Sequence, residues 1–488
     1  MLTGDQYLES LRDGRRIFVN GHSVPDVTTE PLLQGPAQAA ALGYDKHYQP
    51  GDDVHGPYFF IPTSVEELRE TQQRQLHWDF PTISTANGLL MVLTAASRMR
   101  AQQPQYAERA LAYFEQSKRR DIRIVQAITD SKGNRALSPA KQDDPDLYVR
   151  IVDRGPDGVV IRGAKLHISS AAVAHDLMVM PTKRMKPGEE DWSVAAAVPV
   201  NSPGVRVINA SFAPRPDLDP DFYPYSSRHV MTEGLIVFDD VFVPNERLFL
   251  AGELEHSATF VHALGLWERL GSVGSYVRLA DTLVGLAHLV AEANGLLKIG
   301  HIKDKIAEMI IYATLIRAGF EAAMTHATFT PEGWASPDEL FTNAAKYHAA
   351  AQFSTMVRHL HDIAGGSVLT APSLRDLSNP ETEADLRKYM RTMDGVDADY
   401  RMRLFHTIRD FTADAYGGWK HVTVIQAGGG LYAQKVVVTN HFDMETAKAL
   451  ARETAGITES GEVLSGLHRF GPHGYDPDAA AYPAEASA

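Results

Sequence analysis

Three polar strings carry most of the chemistry this sequence could perform. Thr129-Asp130-Ser131-Lys132-Gly133-Asn134-Arg135 is a turn-rich segment with a glycine and a cation at its exit. An arginine leaving such a loop can fork onto a phosphate or onto a ring oxygen of a planar cofactor. A plain surface-loop arginine fits the same string. Thr182-Lys183-Arg184 closes an apolar run, so its cations face either a cleft or solvent. Glu233 stands just before another apolar run. There it is either a proton-transfer carboxyl whose pKa an apolar pocket raises, or a charge at a strand edge. Familiar catalytic signatures are missing: no dinucleotide glycine fingerprint, no His-Glu-x-x-His and no Gly-x-Ser-x-Gly occur. Gly428-Gly429-Gly430 is a dense glycine cluster and reads on its own as a turn. His359 and His361 are two apart, on different faces of a helix, which argues against a shared metal.

These residues need elements to hold them. Residues 3–13, 63–78, 82–101 and 106–120 have helical patterning, while prolines 31, 36, 50 and 57 break residues 21–63. From about 122 the period becomes two: 147–152, 159–169, 176–181, 192–200, 205–208 and 234–244 read as short strands. Asp157-Gly158 supplies a hairpin turn. Strands without intervening helices indicate a small barrel or sandwich. Long amphipathic stretches at 258–295, 301–327, 338–364 and 383–416 then fit a four-helix bundle, with a last helix over 431–455 and a frayed tail from Pro472. The expected layout is therefore α+β: an α domain at 1–121, a β-barrel domain at 122–250, a helical bundle at 251–457 and a tail at 458–488.

Bulk properties narrow the function. The chain has 488 residues and a formal net charge of −14, which disfavours nucleic acid and anionic membranes as partners. Cysteine is absent, which excludes disulfides, cysteine nucleophiles and thiolate-held iron–sulfur clusters. Neither a signal peptide nor a long apolar span is apparent, so a cytoplasmic location is expected.

The strings Thr129 to Arg135, Asp144-Pro145-Asp146-Leu147, Arg162-Gly163-Ala164-Lys165 and Val237 to Arg247, with His301 to Lys305 and Ala364-Gly365-Gly366, give the chain its resemblance. It resembles the 4-hydroxyphenylacetate 3-hydroxylase / 4-hydroxybutyryl-CoA dehydratase superfamily, closer to the dehydratase branch, from Leu2 to about residue 457. The resemblance implies an acyl-CoA dehydrogenase-type fold, a homotetramer, and FAD between the β domain and the C-terminal helices. By position it implies flavin contacts at Gln126, Ala127, Ile128, Lys132, Gly133, Asn134, Arg135, Ser169, Gly428, Gly429 and Gly430. A substrate loop falls at Thr182, Lys183 and Arg184, and Glu233, His167 and Gln126 are the catalytic candidates.

Departures from the family shape the expected chemistry. The dehydratases' iron–sulfur ligands, three cysteines and a histidine, align with Asp79, Ile83, Trp267 and the vicinity of Gly274, and a second site glutamate aligns with Val422. The histidine of the phenol hydroxylases aligns with Gln126, and Pro81 to Asn87 offers neither their arginine nor their tyrosine. The expectation is an FAD-dependent monooxygenase without an iron–sulfur cluster. It would act with molecular oxygen, through a flavin–oxygen adduct, on a small organic acid, free or as its CoA thioester. Electrons would come from a flavin reductase or from the substrate itself. The alternatives are a cluster-free acyl-CoA dehydrogenase, isomerase or dehydratase-like flavoenzyme, and a non-catalytic flavin-binding homologue.

Overall fold

The computed structural model describes residues 1–51, 54–210, 217–228 and 231–460. Thr3 opens α1 (Gly4–Ser10) through a reciprocal capping box with Gln6. The short strands β1 (Ile17–Val19) and β2 (His22–Val24) follow. A helix the sequence reading did not expect comes next, α2 (Gln34–His47), with Ala37, Ala40, Ala41 and Tyr44 buried at helical spacing. The prolines do not prevent it. Pro31 precedes the helix and Pro36 lies in its first turn, where no intrahelical N–H bond is required. Ser64 caps α3 (Val65–Gln75) and Asp79 caps α4 (Phe80–Met99), and α5 (Pro104–Arg120) ends on Asp121 in the left-handed region.

The strands are β3 (Ile124–Ala127), β4 (Arg150–Arg154), β5 (Gly158–Ser169), β6 (Asp176–Val179), β7 (Val194–Pro199), β8 (Val205–Asn209), β9 (Glu233–Pro244) and β10 (Leu248–Ala251). They form two open sheets, ordered β2-β1-β8-β9-β5-β4 and β10-β7-β6-β3. The expected barrel is thus corrected: among the described residues no closed barrel forms. The period-2 signal was real, but closure is not what satisfies it. Ile161, Val207, Ile236 and Phe238 of the larger sheet share a core with Leu177, Val179, Ala196 and Val198 of the smaller one. Alternate residues of the smaller sheet, Met178, Met180, Ala195, Ala197 and Phe249, face the helical core instead. A sheet covered on both faces reads as near-continuous apolar sequence, as these strands do. The segment around β1 also joins the larger sheet, Ile17 and Phe18 pairing in parallel with Val207 and Ile208.

The long helices α6 (Thr259–Ala293), α7 (Gly300–Thr325) and α8 (Glu339–Ala364) pack on one another, with α4 laid against α6. A two-stranded hairpin, β11 (Thr328–Phe329) and β12 (Ala335–Ser336), joins α7 to α8. The expected helix over 383–416 is broken. The chain forms α9 (Ser367–Thr370), α10 (Glu383–Tyr389), α11 (Ala398–Thr412) and α12 (Ala415–Gln426), and Gly395 turns at φ +82° between α10 and α11. The expected helix over 431–455 is also two, α13 (Leu431–His441) and α14 (Met444–Ala455), because Asp443 caps the second. The chain divides into two compact units, one ending at Val437 and one beginning at Val438. The tail expected from Pro472 lies outside the described residues.

Within the β5–β9 ladder Gly163 cannot be replaced without strain. Gly163 sits at φ +133°, and a Cβ there would stand 2.7 Å from the Val149 Cα and 2.9 Å from the Tyr148 carbonyl oxygen. Neither backbone atom can swing aside as a side chain could. We expect Gly163→Ala to lose roughly 2–3 kcal/mol of stability by urea unfolding, and an unchanged midpoint would refute this account of the bulge.

Candidate active site

The site begins with a buried charge. Lys165, on β5, is 1% exposed and pairs at 2.7 Å with Asp130, which is 2% exposed. The same ammonium donates to the carbonyls of Ile128 and Met180, each at 2.8 Å. One oxygen of Asp130 accepts from the Val149 N–H at 2.9 Å, and the other accepts from the Thr182 hydroxyl. The Thr182 oxygen in turn accepts from the Asp130 N–H at 3.0 Å. Four segments therefore meet at one ion pair: the exit of β3, the approach to β4, strand β5 and the exit of β6. Burial pushes the Lys165 pKa down, and Asp130 pulls it back.

This knot positions the cation-bearing loop. Lys132, at φ +70°, and Gly133, at φ +49°, turn the backbone through the left-handed region. The Gln142 side chain pins the rest, accepting from the Asn134 N–H at 3.0 Å and donating to the Asn134 carbonyl at 2.9 Å. Lys132 is half-buried, and its pKa is lowered by burial and then by Arg135. Arg135 itself is exposed at the loop surface. Of the three residues expected in a substrate loop, Thr182 is engaged in the knot, Lys183 lies 5.4 Å from the Tyr148 ring centroid, and Arg184 is exposed.

Two expected residues meet at the far end of the hairpin. Ser169 and Glu233 are cross-strand partners in the β5–β9 ladder. The Ser169 hydroxyl lies 2.8 and 3.0 Å from the two carboxylate oxygens. Burial pushes Glu233 up to about 7, against the lowering effect of the serine hydrogen bond. Next to them the hydroxyls of Ser170 and Thr232 are buried and lack partners among the described residues. Both hydroxyls lie in the interior behind the pair, so the group the edge presents outward is the Ser169–Glu233 pair itself.

His167 and Gln126 are placed differently. His167 stands at φ +60° where the β5–β9 register shifts, and it is exposed. Gln126 lies on β3, not in a loop, and its amide is tied to α4. It accepts from the Ser84 hydroxyl at 2.8 Å and donates to the Ser84 carbonyl. A Cβ on Gly88 would come within 2.5 Å of the Gln126 amide nitrogen, so the glycine leaves room for this amide to lie against α4. Ala127 is buried in the same strand.

The glycine turn is held from the helices. Gly428 and Gly429 adopt φ +70° and +90°. Arg269 of α6 donates to the Gly428 carbonyl at 2.8 Å and to the Asn343 side chain at 2.7 Å, and Gln434 donates to the Gly429 carbonyl at 2.7 Å. Lys346, fully buried in α8, donates to the Val424 carbonyl at 2.6 Å. Burial lowers the Arg269 pKa to about 10 and, with Arg269 and Lys420 nearby, that of Lys346 to about 7. The sequence reading named neither cation, nor Glu268 beside Arg269. The available signal was two charged residues inside the apolar run from Ala263 to Leu270.

Residues 3–250 match the model described as 4-hydroxyphenylacetate 3-hydroxylase N terminal, and residues 257–456 the one described as its C terminal. The chain belongs to the 4-hydroxyphenylacetate 3-hydroxylase family. It is 26% identical to the 4-hydroxybutyryl-CoA dehydratase/vinylacetyl-CoA-Delta-isomerase of Clostridium aminobutyricum, over 94% of this chain and 100% of that protein. It is 27% identical to the 4-hydroxyphenylacetate 3-monooxygenase oxygenase component of Thermus thermophilus, over 85% of this chain and 89% of that one. Among solved structures, the oxygenase component of 4-hydroxyphenylacetate 3-monooxygenase complexed with FAD superposes with a TM-score of 0.83 at 26% identity, covering 93% and 98% of the two chains.

Membership of the 4-hydroxyphenylacetate 3-hydroxylase family gives meaning to four side chains. Asp79 caps α4, accepting from Thr82 at 2.9 and 2.7 Å. Ile83 is apolar, and the indole N–H of the buried Trp267 donates to Thr94 at 3.0 Å. A Cβ on Gly274 would lie 3.1 Å from the Phe320 ring. Cap, apolar filler, core indole and close-packing glycine stand where the dehydratase-type resemblance puts cluster ligands, and this donor set does not suit an iron–sulfur cluster.

The ion-pair knot carries a prediction. Lys165→Met leaves Asp130 buried without its counter-charge, and we expect about 3 kcal/mol of destabilisation by chemical denaturation. Adding Asp130→Asn should recover part of that loss. Equal stability of Lys165→Met and the native protein would dismiss the knot.

Proposed function

We propose that the protein is a flavin-dependent oxygenase that holds FAD against the β5–β9 edge, the Lys132–Arg135 loop and the Gly428–Gly430 turn, and oxidises a small organic substrate with molecular oxygen. The observation that carries this reading is the Ser169–Glu233 pair, a half-buried carboxyl at about 7 held by a serine hydroxyl across the β5–β9 ladder. It lies in a chain that matches both halves of the family. Relatives named as oxygenase components, one of them solved with FAD, support the same chemistry.

Reduced flavin supplies oxygen activation, one oxygen atom going to the substrate and the other leaving as water. The chain's own residues do the rest. Lys132 and Arg135 provide cations, and backbone N–H groups turned by Gly133, for phosphate and ring oxygens. The Ser169 hydroxyl can donate to a ring-edge acceptor. Glu233, near half-ionised at neutrality, takes or returns one proton at its carboxylate. The core under β6 and β7 keeps bulk water from this face. Gln126 bridges β3 to α4 and so fixes the strand that ends at Ala127 and from which Ile128 leads out.

The name "oxygenase component" carried by the Thermus thermophilus relative implies a separate supplier of reduced flavin, and we infer a flavin reductase as partner. A homotetramer, a CoA thioester substrate and its contact with Lys183 and Arg184 remain part of this proposal. So does the division into α, β and bundle domains at 121 and 250. No helix among the described residues is long and apolar enough to cross a membrane. A second reading, a cluster-free CoA-ester isomerase, dehydrogenase or dehydratase-like enzyme, is favoured by the full-length match to the Clostridium aminobutyricum dehydratase.

FAD titration of the purified protein should yield a stoichiometric yellow complex. If Glu233 is the base, turnover with reduced flavin and oxygen should rise with pH through about 7, as the carboxyl loses its proton. Glu233→Gln should remove that limb and slow turnover roughly 10²–10⁴-fold. An intact limb in the variant would acquit Glu233, and anaerobic turnover of CoA thioesters would favour the second reading.

A further inference from the structure

Where α3, α4 and α6 meet, the core contains polar groups that none of the chemistry above uses. Gln72 and Gln75 of α3 and Asn87 of α4 are 1%, 3% and 1% exposed. Gln75 donates to the Asn87 side-chain oxygen at 3.0 Å, and the Asn87 side chain hydrogen-bonds the Glu268 carboxyl of α6. Gln72 lies on the same face of α3 one turn before Gln75. Four atoms remain without partners among the described residues: both polar atoms of the Gln72 amide, the Gln75 oxygen and one Glu268 oxygen. Buried polar atoms are nearly always bonded, so a cluster of orphans marks a missing partner.

The neighbourhood defines that partner. Gly271, three residues after Glu268, faces the same groups: a Cβ there would stand 3.3 Å from both the Asn87 nitrogen and the Gln75 oxygen, so only a glycine leaves those two atoms uncrowded. Nearby cations are engaged elsewhere, Arg269 with Gly428 and Asn343, and Arg278 with the Leu76 carbonyl. Three of the four orphan atoms are oxygens and one is an amide nitrogen. The complement is a group with several N–H donors and at most one acceptor; a carboxylate or phenolate would meet acceptors and no cation. The cluster also adjoins the proposed flavin face. Asn87 precedes Gly88, whose backbone abuts the Gln126 amide, and Ser84 on the same helix bonds Gln126.

We propose that Gln72, Gln75, Asn87 and Glu268 form the subsite for the substrate's head group, and that this head group is N–H-bearing, a carboxamide or an amine. The proposal rests on the flavin reading for the place of reaction, but binding at the subsite can be measured without it.

The test uses benzamide, benzylamine and benzoate, which share one ring and differ in head group, titrated by calorimetry into the purified protein with and without FAD. We expect benzamide or benzylamine to bind at least about ten-fold more tightly than benzoate. The better of the two identifies carboxamide or amine. Glu268→Gln, which is isosteric, should erase a preference for benzylamine, and Gln75→Leu should weaken both N–H probes. The isosteric variant keeps the test open should Gln75→Leu fail to fold. Benzoate binding as tightly as the others, no binding by any probe, or discrimination unchanged in both variants would overturn the proposal. Head-group discrimination in a protein that takes up no FAD would leave the subsite standing and remove the flavin reading.

Discussion

Everything on the β side of this molecule depends on one ammonium kept out of water. A lysine buried to 1% is tolerated only when its three donors are matched, and Lys165 meets Asp130, Ile128 and Met180. Desolvation argues against the charge and the aspartate argues for it. With that balance held, two carbonyls and a carboxylate from the exits of β3 and β6 are drawn to one point on β5. The loop that exits β3 therefore has a fixed root although its tip, at Gly133 to Arg135, is exposed. A fixed root and a solvated tip suit a loop that must grip a ligand without being part of the core.

The helical side solves an analogous problem with cations instead of caps. The last carbonyls of α12 and of the turn after it have no helical donors. Val424 receives the Lys346 ammonium at 2.6 Å and the Tyr276 hydroxyl at 3.3 Å, and Gly428 receives Arg269. Gly428 and Gly429 take left-handed conformations that bring these carbonyls within reach, and a Cβ at Gly428 would stand 3.2 Å from the Arg269 side chain. The same helix α6 carries Arg269 toward the glycine turn and Glu268 toward Asn87. One helix thus orders two polar sites inside an apolar bundle.

How much of this was legible follows from which signals are local. The hairpin turn, the strands on either side of it and the caps at Ser64 and Thr3 are written in adjacent residues, and they stand where the sequence put them. The Ser169–Glu233 pair was half legible: each residue drew attention, but their pairing needs two strands that lie more than sixty residues apart in sequence. The barrel expectation failed for a physical reason, since period-2 alternation reports burial of a face and not closure of a sheet. Helix α2 was missed because prolines were counted and not placed. Nothing local in the sequence shows that the Thr182 hydroxyl bonds Asp130, because the two residues come from different strand exits.

The resemblance places the dehydratases' cluster ligands at four positions of this chain, and the packing gives those positions other roles. A metal cluster needs ligands that are free to point inward from elements already held in place. Here the position of one ligand starts a helix, that of another fills the bundle core with an indole bonded to Thr94, and that of a third is a glycine against Phe320. Each of these residues stabilises the fold in its present role. Placing a single cysteine at any of them would remove a cap or overpack a core without completing a ligand set. Two carboxyls are pushed toward neutrality by burial, Glu233 beside Ser169 and Glu268 beside Asn87. Groups that exchange protons near pH 7 are suited to acid–base work, and both lie on elements that the buried polar contacts hold in place.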